Sequence, residues 1–357
     1  MKPHFPILDG LRGTAALLVV IFHLFEACYP APANHPISHG FLAVDFFFML
    51  SGFVVGYAYD DRWGKMTVKE FLTIRLIRLH PLVIAGVLIG AIGFLIDPNT
   101  RGVSLLKLLG VVLISLTLLP SPDIRGWSET HSLDGPCWSL FQEYIANVLY
   151  ALWGRRMGKT ALYILVVVSA VALIITACWH GNLASGYSFR TSWIAIIRMM
   201  FPFFGGLLLF RAGKLIKMPM AYVVCSLALF MLFSLPAFKY NGLYEALCVI
   251  VAFPIVVAIG AGSQIKGRWA KLCKFSGDIS YPIYILHYPF IYIYTMWVIS
   301  KKPPPQQIVP VAIGLFFFFI ILAYVALRLY DVPVRIMLKK KFLAKKLLPA
   351  KLMQQAL

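Results

Sequence analysis

The chain has 357 residues, 60% of them hydrophobic and only 13% charged, with a mean hydropathy of +0.81. A soluble domain carries about 25% charged residues, so the composition excludes disordered, collagenous and disulfide-rich classes and leaves a polytopic membrane protein. The 33 Lys and Arg outnumber the 14 Asp and Glu, a formal net charge of +19. In a membrane chain that excess marks cytoplasmic loops and implies no nucleic acid partner.

Apolar runs of the length needed to cross a bilayer, about 20 residues, occupy 11–29, 41–59, 79–96, 136–154, 161–179, 193–210, 220–237, 242–261, 279–299 and 308–330. The expected fold class is therefore an all-α polytopic membrane protein with about ten transmembrane helices. The first run has no convincing small-residue cleavage site and is expected as a span, not a signal peptide. The stretch 103–120 is also apolar, but it ends in Pro-rich SPDIRG and is expected as a re-entrant or interfacial helix.

The basic residues sort by side. With the N-terminus inside, Arg101, Lys107, Arg125, Arg190, Lys239, Lys301 and Lys302 fall on outer segments, Arg198 lies within a span, and the rest are cytoplasmic. Both termini are then cytoplasmic, and an eleventh crossing at 103–120 would invert every later loop. The expected organisation is one membrane domain over 1–335 and a basic cytoplasmic tail over 336–357. The tail's KKKFLAKKLLPAK reads either as an amphipathic helix on anionic inner-leaflet lipid or as a solvated extension. The outer KKPPPQQ is a stiff spacer. Cys28, Cys137, Cys178, Cys225, Cys248 and Cys273 are singletons, read as packed thiols with neither disulfide nor metal spacing.

Ionisable groups inside hydrocarbon are costly and are functional candidates by default. They are His23, Glu26, Asp45, Glu143, Arg198, Glu245 and His287. In LDGLRGTAALLVVIFHLFE, Asp9 caps the helix start and Arg12 sits at the cytoplasmic boundary. His23 lies about 16 Å deeper and only about 20° around the helix, near the midplane. One helix face thus carries a fixed cation and a titratable base, suited to an elongated ligand with an anionic head and a reactive end. Glu143 lies about 10 Å below the outer surface and shares a face with Ser139. Asp45 falls in the outer half of span two, Ser51 near its centre, and His287 about 12 Å in from the inner side. His23, Glu143, Asp45 and His287 either line one polar cavity, where a carboxylate makes the His a better base, or pair separately as interhelical ties. RLIRLHP adds Arg75 and Arg78, whose fork donors suit phosphates.

Several motifs in order carry a resemblance. They are LDGLRG with Arg12 and then His23, DFFFMLSGFV at 45–54, RLIRLHP at 75–81, PCWSLFQE at 136–143, GDISYPIYILHYP at 277–289 and DVPVR at 331–335. The chain resembles the acyltransferase-3 family, integral-membrane acyltransferases that modify bacterial surface glycans and some small molecules. The resemblance implies a ten-helix core, a cytoplasmic acyl-CoA donor and an acceptor hydroxyl reached from outside. It makes His23 the essential His and Arg12 its partner. Asp331 stands where the family more often has Glu, Glu26 is not expected of the family, and the extra extracytoplasmic domain of many relatives is not expected here.

The two readings combine into one expectation. Acetyl-CoA is the co-substrate, with no permanently bound cofactor and no metal. Arg75, Arg78 and Arg12 would hold its phosphates, with Ser51, Tyr281 and His287 along its arm. His23, supported by Glu143 and Asp45, would deprotonate a sugar hydroxyl for direct attack on the thioester; an acyl-histidine is the less favoured variant. Donors near Trp138, Ser139 or Tyr281 would hold the oxyanion. Trp138, Ser139 and Arg198 would contact the acceptor; Glu26, three residues after His23 on the same face, would orient the base or contact the acceptor. Arg198 would either meet an acceptor carboxylate or pair with Glu143 or Glu245. The acceptor expected first is a lipopolysaccharide O-antigen or lipid-linked oligosaccharide at the bacterial inner membrane. The alternative is a transporter or flippase for a lipid-linked glycan or an acyl donor.

Overall fold

The computed structural model describes residues 4–29, 31, 34–100 and 102–343. Among them, helices account for nearly all regular structure, and the two β-bridges, Trp63 with Met66 and Glu129 with Ser188, are isolated. In chain order the helices are α1 (Pro6–Glu26), α2 (Ala43–Tyr59), α3 (Val68–Ile96), α4 (Leu105–Ser115), α5 (Cys137–Leu152), α6 (Lys159–His180) and α7 (Ser192–Ala212). They continue as α8 (Ala221–Ser234), α9 (Asn241–Leu247), α10 (Phe253–Gly262), α11 (Gly267–Leu286), α12 (Tyr288–Lys301), α13 (Pro305–Ala326) and α14 (Val332–Leu343). A π-turn joins α9 to α10 and another joins α13 to α14.

Among the described residues, seven helical segments are long and apolar enough to cross a membrane, or eight if α11 and α12, bent by 53° where they meet, form one span. The bend has a local cause. Pro289, just inside α12, has no N–H to continue the α11 ladder. Of the ten expected spans, 136–154 and 220–237 form helices of only 16 and 14 residues. At 1.5 Å per residue they reach about 24 and 21 Å, short of a hydrocarbon core of about 30 Å. Pro136 sets the start of α5, while Met220 in a left-handed conformation and Leu235, just before Pro236, bound α8. The 103–120 stretch forms the 11-residue α4, too short for a full crossing. α14 runs through residue 335 without a break, and the remainder of the expected tail from 344 onward lies outside the described residues, as do Lys2 and Arg101.

Burial sorts the helices into an inner and an outer set. α1, α2 and α7 are about two-thirds buried, whereas α6 and the α13–α14 segment show most of their length to the outside. That outside is apolar: Ile164, Val168, Ile175, Ile321 and Leu329 are all exposed. Such a surface suits lipid rather than water. The inner contacts use small residues. Gly10 and Gly13 of α1 lie against Cys273 and Ser276 of α11, and Gly277 of α11 lies against Asp9. Gly52 of α2 faces the Phe203 carbonyl of α7, and Gly206 of α7 faces the Met49 carbonyl of α2. A Cβ at either position would overlap backbone, so the close α2–α7 crossing requires glycine.

Candidate active site

Helix α1 begins at Pro6, earlier than the apolar run suggests, and ends at Glu26. Asp9 therefore lies in its first turn instead of capping it, where a carboxylate still meets the positive end of the helix dipole. There it accepts from Arg12 at 3.0 Å and lies 2.7 Å from His4. The same boundary shift places His23 in the last turn of α1, at the end remote from Arg12, and not in the middle of the span. The helix is unbroken between the two residues, so their separation of about 16 Å along one face holds.

At that far end, His23 Nδ1 lies 2.8 Å from Glu26 Oε2, one turn on. The His23 side chain is 18% exposed and that of Glu26 49%, so the pair lies near the surface and not in the core. A carboxylate at Nδ1 fixes the tautomer and leaves Nε2 as the proton acceptor. The His287 ring lies 5.5 Å away and the Tyr288 ring 4.8 Å away, edge-on. The α11–α12 bend is what turns His287 and Tyr288 together toward α1.

The other candidates form separate pairs. Arg75 Nη2 donates to Glu143 at 2.6 Å, and Ser51 and Asn147 donate to the same carboxylate. Arg198 donates to Asp45 through both Nε, at 3.2 Å, and Nη2, with further bonds to the Ser185 and Phe41 carbonyls. Arg198 is 2% exposed and Asp45 fully buried. This is the paired alternative for Arg198, but with Asp45 as partner, not Glu143 or Glu245. Glu245 instead lies 3.1 Å from His39 and accepts from Asn241 and the Leu183 amide. A single cavity uniting His23, Glu143, Asp45 and His287 is thus not what the side chains build: two of the four are spent on buried ion pairs. Donors proposed for an oxyanion are also committed. Tyr281 donates to the Leu79 carbonyl at 2.6 Å, and Ser139 contacts the Pro136 carbonyl and the Tyr284 hydroxyl. Trp138 lies under the Arg198 guanidinium at 5.3 Å.

At the other end of α1, Arg78 has Arg75, Arg12 and Arg335 as electrostatic neighbours. Its guanidinium forms no ion pair among the described residues, so this cluster keeps cationic character. Thr67 starts α3 with a reciprocal capping box to Glu70, which fixes the register of Arg75 and Arg78.

Sequence reasoning missed the segment 116–136, which folds over the His23 end. Glu129 there accepts from the Tyr292 hydroxyl and is an electrostatic neighbour of Tyr288, the ring beside His23. Arg125 stacks 3.9 Å over the Tyr292 ring and donates to the Ser132 carbonyl. Burial, against the Tyr292 bond and the Arg125 charge, lifts the Glu129 carboxyl to about 7. Asp134, buried beside Cys137, is pushed to about 8, and His131 falls to about 4, both chiefly by burial. The signal was available: three ionisable residues within six positions of a charge-poor chain.

Geometry and fold together define a multi-pass helical membrane protein with a His–Glu pair at one end of its central helix and an arginine cluster at the other. The acyltransferase-3 profile, an acyltransferase domain, matches residues 5–328, and the chain belongs to that family. It is 35% identical over 185 residues to "Protein 2 in picA locus" of Rhizobium radiobacter, covering 48% of this chain and 94% of that one. It is 32% identical over 166 residues to "Acyltransferase MdmB" of Streptomyces mycarofaciens, 43% of this chain and 40% of that one. It is 39% identical over 85 residues to "Putative O-acetyltransferase SACOL0978" of Staphylococcus aureus (strain COL), 23% of this chain and 13% of that one. The chain thus spans less than half the length of the latter two. No solved structure matches.

Proposed function

We propose that this protein is an O-acyltransferase of the bacterial inner membrane. It moves an acetyl group from cytoplasmic acetyl-CoA to a hydroxyl of an extracytoplasmic glycan, with lipopolysaccharide O-antigen the leading acceptor. The observation that carries the reading is the His23–Glu26 pair at 2.8 Å, on the same helix and face as Arg12, in a chain of an acyltransferase family. Ten crossings with both termini inside, α5 and α8 included, would put Arg12 and Arg78 on the cytoplasmic side and His23 toward the acceptor.

In this reading Arg12 and Arg78 meet the phosphates of the donor, and its flexible arm carries the thioester toward His23. Arg75, held by Glu143, which Ser51 and Asn147 fix in turn, positions the cluster. His23 Nε2 takes the proton of the acceptor hydroxyl while its oxygen attacks the thioester carbonyl. The new C–O bond forms, the C–S bond breaks, and the thiolate leaves to take up a proton. Glu26 compensates the charge that arises on the imidazole. Asp45 and Arg198 hold α2 against α7 and take no part in acceptor binding.

The test is mass spectrometry of surface glycan from cells that carry or lack the gene. Acetyl groups present with wild type, absent without it, and absent with His23→Ala at equal expression are the expected outcome. Unchanged acetylation in the deletion would overturn it. The transporter alternative is separated by an assay of the purified protein, in which CoA release coupled to acetylated glycan marks an enzyme.

A further inference from the structure

His287 is not used by the mechanism above, yet its chemistry is sharply defined. Its Nδ1 lies 2.9 Å from the Ile283 carbonyl oxygen. A carbonyl only accepts, so Nδ1 carries the proton and Nε2 presents a lone pair. That Nε2 is buried and has no hydrogen-bond partner among the described residues, on a ring that is 0% exposed. Buried polar atoms in folded proteins are overwhelmingly paired, and each exception calls for a reason. The ring is walled by the aromatic faces of Tyr284, Tyr288 and Phe319 at 6.4, 5.8 and 6.0 Å. On another side lies His23, 5.5 Å away. The residue also sits at the junction where α11 and α12 meet with a bend of 53°.

We infer that His287 is a substrate-contacting residue whose Nε2 accepts a hydrogen bond from an N–H or O–H of a bound substrate beside His23. The inference rests on the acyl-transfer reading. Two sources offer that donor: the acceptor hydroxyl, and an amide N–H in the arm of the acyl donor. His287 exchanges no proton and makes no covalent bond. His23 alone takes the reacting proton, and His287 orients the group that brings it or the thioester it meets.

Steady-state kinetics with acetyl-CoA and purified glycan decide the matter, using wild type, His287→Phe, His287→Gln and His23→Ala. His287→Phe keeps a ring of similar size and removes the lone pair. The apparent KM for one substrate is expected to rise about tenfold, the loss typical of one neutral hydrogen bond. A rise for acetyl-CoA assigns the amide N–H, and a rise for glycan assigns the hydroxyl. His287→Gln, whose carboxamide oxygen can accept, should recover most of that loss, which a purely structural role would not predict. Should His287→Phe fail to fold, His287→Met decides in its place on the same terms. Both KM values and kcat within twofold of wild type in His287→Phe, with His23→Ala inactive, would overturn the inference alone. Full activity in His23→Ala would overturn the underlying reading and this inference with it.

Discussion

At His23 the decisive neighbour is one turn away on the same helix. Glu26 is nearly half exposed, so its contribution to fold stability is small, while its contact with Nδ1 bears directly on the base. Glu26→Gln keeps the size and a hydrogen-bonding oxygen but removes the charge. We expect kcat to fall roughly a hundredfold with the KM for glycan within twofold, by analogy with carboxylate–histidine pairs elsewhere. A variant with unchanged kcat would detach Glu26 from the chemistry. This pair was legible in the sequence, because residues three apart on a helix meet without help from tertiary structure. The partners of Arg75 and Arg198 were not. Glu143 is 68 positions from Arg75 and Asp45 is 153 from Arg198, and helix periodicity says nothing about which distant carboxylate an arginine will find.

Among the elements, the α2–α7 crossing shows how the SGF segment works. Gly52 is needed for close approach, so its substitution acts on packing before chemistry. Gly52→Ala should cost at least about 2 kcal/mol of stability, since the new methyl meets backbone that cannot rotate away. A lowered thermal midpoint in detergent would be the sign, and an unchanged one would contradict the packing. Segment 116–136 calls for a pH experiment. Asp134 has its folded pKa raised from an ordinary carboxylate value to about 8, so the stability tied to its protonated form is complete at low pH. It is lost as pH rises through 8. Glu129 acts in the same direction up to about 7. His131, held neutral, runs the other way, its contribution being lost only as pH falls below its unfolded value toward 4. Between pH 6.5 and 8.5 the thermal midpoint should therefore decline, and Asp134→Asn should flatten the decline. An equally steep decline in that variant would show that the carboxyl is not its source. Apolar runs located α2, α5, α6 and α7 closely at both ends. They misplaced α1, which starts at Pro6, the C-terminal end of α8, which stops at Leu235 just before Pro236, and α13, which starts at Pro305, features that hydropathy does not weigh.

For the molecule as a whole, composition pointed to a membrane protein, because an apolar exterior and an apolar interior together leave room for few charges, and the length of the apolar runs pointed to helices. Part of the +19 charge gathers around Arg12, Arg75, Arg78 and Arg335. The architecture then has a simple logic. One continuous helix connects that cluster to a histidine about 16 Å away, while a broken helix turns His287 and Tyr288 against the same point. The measurement that tests this logic most directly uses purified protein in proteoliposomes, labelled acetyl-CoA and glycan acceptor. The account predicts stoichiometric CoA release and labelled glycan from wild type, and neither from His23→Ala of equal fold. Movement of label or glycan across the bilayer without an acetylated product, or full transfer by His23→Ala, would contradict it.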